Sequence, residues 1–247
     1  SPYGKWIEKV KSHLYQVHPY SQTTIGKIEH LDAATLEEFM AFNKKYYIPN
    51  NAILTVAGDI DIPQTKKWIH EYFSSIPKGK EIVRKFAQES PIEETIKAKA
   101  FDPNIQIPAI FLAYRTPGRN SRDARVLDVI STYLSQGKSS KLYKKLVDEQ
   151  KMSLEVAAFN MNDEDYSTYV ILSLPLGETK LETLMTEIDE EVEKIQKDLI
   201  SEKDYQKLQN QFESEFVNAN PTIEGIANSL AEYYTFYGGD TDLINKE

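Results

Sequence analysis

The chain has 247 residues, 40% hydrophobic and 27% charged, the balance of a folded protein with room for a large core. A formal net charge of -9 argues against a nucleic-acid partner, because the one short basic cluster, Lys141, Lys144 and Lys145, is followed at once by Asp148 and Glu149. With no cysteine, disulfide frameworks and thiolate metal sites are excluded, and no apolar run approaches the ~20 residues needed to span a bilayer.

Ser1-Pro2-Tyr3 reads as an interior start in mid-helix, so the segment is expected to continue a longer chain. A first helix is predicted over residues 3–17, with Trp6, Ile7, Val10, His13, Leu14 and Val17 at helical spacing, and His18-Pro19-Tyr20 ends it. Asp32 is read as the N-cap of a second helix through Tyr46, with Leu36, Phe39, Met40 and Phe42 on its inner face.

The sharpest landmark follows. Pro49 biases Ile48 away from the helical region, Asn50-Asn51 supply a turn, and Ala52 to Ala57 form a short apolar run, read as a buried strand closed by Gly58-Asp59. A third helix is predicted from Ile62 to Ser74, with Pro63 in its first turn. The polar, aperiodic stretch 78–93 is the best linker candidate.

Beyond it, Thr95 to Phe101 alternates as a strand with one wet face, and the nearly all-apolar Ile107 to Tyr114 suits a central strand covered on both sides. Helices are predicted over 121–134 and 139–149, and strands over 153–160 and 167–174, joined by Asn162-Asp163-Glu164-Asp165. A long amphipathic helix follows over 178–199, with Leu181, Leu184, Met185, Ile188, Val192, Ile195 and Leu199 in one stripe. Ser201-Glu202-Lys203-Asp204 resembles a capping box and opens another helix, ended by Pro221, and a last helix ends at Gly238-Gly239.

No catalytic constellation emerges from the residues. The histidines are His13, His18, His30 and His70, and neither His-Glu-x-x-His nor His-x-x-Glu-His occurs. His13 and His18 fall on different helix faces; Glu29-His30 reads as a surface pair rather than as companions of His18 in a metal site. A glycine-rich phosphate loop and a nucleophile elbow are both absent, and no pair of carboxylates stands out for acid–base work. The fifteen tyrosines, including Tyr233, Tyr234 and Tyr237, read as core and rim residues. No catalytic, metal or substrate-binding residue is therefore assigned.

The ordered landmarks nevertheless carry a resemblance. Pro2-Tyr3-Gly4, His18-Pro19-Tyr20, Ile25-Gly26, Leu31-Asp32-Ala33-Ala34-Thr35-Leu36, Tyr46-Tyr47-Ile48-Pro49-Asn50-Asn51-Ala52, Val56-Ala57-Gly58-Asp59 and Gly137-Lys138-Ser139-Ser140-Lys141-Leu142-Tyr143 resemble, in that order, the insulinase-like zinc metallopeptidases, which include pitrilysin and the mitochondrial processing peptidase. The resemblance implies an α+β fold of two-layer domains, largely antiparallel sheets packed under helices. Residues 1–80 would be the C-terminal part of an incomplete zinc-bearing domain, 81–93 a linker, and 94–247 most of a second, non-zinc domain.

The same resemblance implies a parent that hydrolyses peptides with zinc inside an enclosed chamber, with its His-x-x-Glu-His and distal glutamate upstream of Ser1. This segment would then be scaffold and chamber wall with no cofactor of its own, its partners being the remainder of the parent chain or a second family subunit, and peptide substrate. The alternative is a non-catalytic structural or processing-complex subunit. An arginine and a tyrosine bind substrate in a family segment like Leu-Arg-x-x-x-x-Leu-x-Tyr; the matching stretch is Leu146 to Leu154, where Val147 and Leu154 stand instead. Aliphatic side chains cannot donate to a substrate carbonyl, so another half or subunit would supply the pair.

Overall fold

The computed structural model describes residues 3–218 and 222–245. They form two compact units, one of residues 1–23 and 88–214, the other of residues 24–87 and 215–247. The architecture is mixed helix and antiparallel sheet, the fold class expected from the sequence.

The first unit is organised on three strands, β1 (Ile110–Pro117), β2 (Ser153–Met161) and β3 (Tyr166–Pro175), all antiparallel in the order β1-β3-β2. The run predicted as a central strand is thus an edge strand, and β3 is central. An apolar run reports only that both faces are covered, and β1 is covered on both faces without a strand on each side. On one face the helix α1 (Trp6–Leu14) stacks Trp6 on Phe111 at 5.0 Å and sets its edge against Phe159. On the other, α5 (Arg122–Ser135) and α6 (Leu181–Lys197) bury Leu134, Leu184 and Ile188 against Val156, Ala158, Tyr169 and Ile171.

Local chemistry sets these elements. Ser121 Oγ accepts from Ala124 N (3.1 Å) to cap α5, and Ser201 Oγ accepts from Asp204 N (3.1 Å) at the start of α7 (Glu202–Asn218). Two buried polar residues of the central strand find partners: Thr168 Oγ1 lies 2.9 Å from the Tyr15 hydroxyl, and Ser173 Oγ 2.8 Å from Ser153 Oγ.

Two expectations are corrected in this unit. Thr95 to Phe101 forms no strand: the segment is exposed, and no described residue pairs with it. Alternation gives a strand only where a ladder partner exists. The helix expected over 139–149 is present over 141–149, with Tyr143–Glu149 widened into a π-helix in which Gln150 N donates to Lys145 O (2.9 Å) and Leu142 and Leu146 are both fully buried. Leu199, placed at the end of the α6 stripe, lies beyond the helix and is fully exposed.

The second unit contains α2 (Ile28–Ala33), α3 (Leu36–Tyr46), α4 (Ile62–Phe73) and α8 (Ile223–Phe236). Asp32 is not the cap of α3 but lies within α2. The capping box is Thr35 with Glu38: Thr35 Oγ1 accepts from Glu38 N (3.2 Å), and Glu38 Oε2 accepts from Thr35 N (2.9 Å). Asp61 caps α4, accepting from Gln64 N at 2.7 Å.

Pro49–Asn51 make one 3-10 turn, as the proline and asparagines require, and Asn50 clamps Gly79 by accepting from its N (2.9 Å) and donating to its carbonyl (3.3 Å). Ala52 to Ala57 carries no ladder among the described residues, so the predicted buried strand is absent there; Thr55 Oγ1 donates to Ala227 O (3.0 Å). Its apolar side chains Ile53, Leu54 and Val56 are exposed, as are Leu36, Phe39, Met40 and Phe42 of α3 and Trp68, Tyr72 and Phe73 of α4. The helical stripes are where the sequence places them, but nothing in the described residues covers them. Pro2 and the Pro221 stop lie outside the described residues.

Candidate functional site

Among the described residues no group of three or more His, Asp or Glu side chains converges so as to hold a metal ion. His13, His30 and His70 are exposed on α1, α2 and α4, while His18 is buried. The zinc implied by the resemblance therefore does not fit the donor set present here, and no chemical step is derived through it.

The densest polar constellation surrounds His18. The chain leaving α1 turns its backbone so that Gln16, Val17 and His18 N–H all point at one oxygen, Glu89 Oε1, at 2.7, 2.9 and 2.8 Å. The other oxygen, Oε2, faces Arg115 Nη1 (3.3 Å), which also donates to Leu14 O (2.8 Å), and Arg115 Nη2 donates to Ser90 O. Burial acts to raise the Glu89 carboxyl, but the three N–H donors and Arg115 outweigh it and hold it below the usual glutamate range.

His18 Nδ1 accepts from Tyr20 N (3.3 Å), and Nε2 lies 3.3 Å from Asp165 Oδ2. Tyr15, Tyr20 and Tyr166 surround the imidazole, with Tyr20 at 4.2 Å and Tyr166 at 5.4 Å between ring centroids. Burial pushes the Tyr15 hydroxyl up to about 12. The His-Pro-Tyr motif is thus locked into a polar and aromatic network that ties residues 16–18 to Glu89 and His18 to Asp165. Glu89 lies in an aperiodic polar stretch, and nothing in the sequence distinguishes it from its exposed neighbours.

A second constellation is built from Gly137 to Leu142. Gly137 adopts φ +78, and Ser140, nearly fully buried, donates from Oγ to Gly137 O (2.7 Å), closing the turn into the π-helix. Lys207 Nζ donates to Ser139 Oγ (2.6 Å) and Lys141 Nζ to Asp204 Oδ2 (2.9 Å), fastening the segment to α7. One turn later Lys145 Nζ lies 2.8, 3.0 and 3.3 Å from carboxylates of Glu187, Glu190 and Glu191 on α6. Among the described residues the hydroxyls of Ser139 and Ser140 are engaged by Lys207 Nζ and Gly137 O rather than by a histidine.

Residues 33–212 match the family described as Peptidase M16 inactive domain. The chain belongs to that M16 peptidase family. Among curated relatives, the zinc protease PqqE of Helicobacter pylori is 27% identical over 235 residues, covering 94% of this chain and 53% of that protein. An uncharacterized zinc protease of Rickettsia felis is 21% identical over 232 residues, covering 94% and 55%. The chain spans about half the length of the curated relatives it matches.

Solved structures agree. The crystal structure of a protease from Helicobacter pylori matches with TM-score 0.83 and 26% identity, covering all of this chain and 60% of that one. An M16 inactive domain from Pseudomonas fluorescens matches with TM-score 0.76 at 16% identity, covering 97% and 56%, a likeness of fold alone.

Within this M16 chain, Val147 and Leu154 sit on either side of a sharp reversal. Val147 lies in the π-helix, partly buried against the core. Lys151 takes φ +53, Met152 N donates to Leu146 O (2.9 Å), and Leu154 stands half-exposed where the β2 register shifts. Neither side chain can donate a hydrogen bond. No helix of the described residues is long and apolar enough to cross a membrane.

Proposed function

We propose that this chain is a non-catalytic portion of a zinc-dependent metalloendopeptidase, acting as scaffold and wall of a chamber in which unfolded or short peptides are cleaved. Its zinc ligands and its water-activating glutamate come from residues outside this sequence. The observation that carries the reading is the second unit's uncovered apolar surface. Ala52 to Ala57 has strand composition and no ladder, while α3 and α4 present Leu36, Phe39, Phe42 and Trp68 to solvent. So many large apolar side chains exposed together are ordinarily covered, and relatives nearly twice as long have the chain to cover them.

In sequence order we assign residues 1–80 to the tail of the zinc-bearing domain, 81–93 to the connection and 94–247 to the non-zinc domain. The seating of α1 on Phe111 and Phe159 supports reading residues 3–23 as a segment that the first domain lends to the sheet of its neighbour. Val147 and Leu154 support a wall role, since the polar pair that would grip substrate must then come from another half or subunit.

Hydrogen exchange tests the reading. Amides of residues 53–57 should exchange freely in the 247-residue chain and become protected in the longer gene product. Equal protection in both would remove its support. A longer product that protects residues 53–57 but neither binds zinc nor cleaves peptides would identify a structural subunit instead.

A further inference from the structure

The two outer edges of the three-stranded sheet are finished differently. On β2 the Ser135 hydroxyl accepts from Ala158 N (2.7 Å) and lies 3.1 Å from Ala158 O, so both backbone groups of Ala158 point away from β3 and are closed by one side chain. The ladder register also shifts between Ser153 and Glu155. Covering an edge and bulging it are devices by which an edge strand avoids pairing with another chain.

Ala158 also fixes the direction of every backbone group in β1. The N–H and C=O of one residue point to the same side of an antiparallel strand, and successive residues alternate. Ala158 stands opposite Ile171, so Ile171 turns its groups to β1, where Leu112 is its partner. Leu112, with Ile110, Tyr114 and Thr116, therefore bonds to β3, while Phe111, Ala113 and Arg115 point outward. No described residue hydrogen-bonds to the backbone of these three. Neither a lysine nor a register shift guards this edge, and proline stands only at its end, Pro117. The strand is nevertheless covered on its faces: Trp6 of α1 stacks on Phe111 from one side, and Ile110 and Leu112 pack on the core from the other.

We propose that the open edge of β1 receives one β-strand from the part of the gene product outside these 247 residues, which makes β1 a central strand of the intact protein. The proposal rests on the reading of the chain as part of a longer peptidase, and relatives nearly twice as long have the residues to supply the strand. Helices are about 10 Å wide and paired strands only ~4.8 Å apart. A strand arriving alone therefore meets less obstruction beside α1 and α6 than the β1 of a second copy, which carries helices of its own. Thr95 to Phe101 is also the wrong occupant, because it sets Lys97 and Lys99 on one face, whereas a strand beside β1 has both faces under helices. The added strand should be apolar on both faces.

Hydrogen exchange read at single residues tests this on both the 247-residue chain and the longer gene product. In the 247-residue chain the Phe111, Ala113 and Arg115 amides should exchange within about tenfold of an unstructured peptide, while Leu112 and Tyr114 of the same strand, bonded to β3, are slowed about 100-fold or more. In the longer product all five should be slowed about 100-fold or more. Ala113→Pro deletes only an outward N–H, so it should lower the melting temperature of the longer product by about 5 °C and that of the 247-residue chain by less than about 2 °C. Equal shifts in the two proteins, outward amides already slow in the 247-residue chain, or outward amides still fast in the longer product would each overturn the proposal. The last result, found together with newly protected residues 53–57, would leave the wall reading standing. Protection that appears in the 247-residue chain only as its concentration rises would give the edge to a second copy and overturn the proposal too.

Discussion

Replacing Glu89 with alanine removes one carboxylate and strands four donors. Gln16, Val17 and His18 N–H lose an acceptor at 2.7–2.9 Å, and Arg115 loses its carboxylate partner at 3.3 Å. Hydrogen bonds to a charged group contribute about 1.5–3 kcal/mol each, but the Gln16 and Val17 amides lie at the surface, where water replaces the lost oxygen. Arg115 also keeps Leu14 O and Ser90 O. The net cost is therefore about 3 kcal/mol, the lower end of what breaking a buried ion pair costs.

Hydrogen exchange reads this locally: amides of residues 16–18 should exchange about 100-fold faster in Glu89→Ala, since each 1.4 kcal/mol is about tenfold. Glu89→Gln, which keeps the shape without the charge, should fall between. The pH dependence has a definite sign. The folded carboxyl lies below its ordinary 4.5, so the contribution is present above that value and is lost as pH falls through the folded one. Exchange at residues 16–18 within about threefold of wild type, roughly 0.7 kcal/mol, would refute the lock.

Three further outcomes follow from single positions. Gly118→Ala should destabilise by about 2 kcal/mol, because its Cβ would collide with Glu164 O and meet Asp165 O at 2.9 Å, both backbone atoms; urea denaturation checks this. Lys151→Gly should stabilise by about 1 kcal/mol, since a left-handed backbone costs a non-glycine residue about that much, and an unchanged midpoint would show that the turn is not strained. Lys145→Met leaves Glu187, Glu190 and Glu191 without their shared cation and should cost about 2 kcal/mol at neutral pH. Because the Lys145 hydrogen bond holds the Glu187 carboxyl below its ordinary 4.5, the difference from wild type should disappear as pH falls beneath that value.

Helices and turns were legible because their signals are local. Ser121, Asp61 and Pro49 do what capping and φ restriction require of them, and the β2–β3 hairpin lies where alternation and the polar turn place it. Strand existence was less legible. Thr95 to Phe101 and Ala52 to Ala57 carry strand composition, but a ladder depends on a partner that their own residues cannot announce. For the same reason β1 could not be told from a central strand. The His-Pro-Tyr motif was visible as a helix stop, whereas its lock was not, because Glu89 and Arg115 reach it from more than 70 residues away in sequence. Asp32 and Thr35 show a smaller failure: two good caps within one turn compete, and the capping box with Glu38 decides.

Zinc content and peptidase activity, measured side by side on the 247-residue chain and on the longer gene product, test the proposed wall role most directly. The short chain should bind no stoichiometric zinc and cleave no unfolded peptide, while the longer product binds zinc and cleaves. Stoichiometric zinc, or zinc-dependent cleavage, in the 247-residue chain alone would contradict that role.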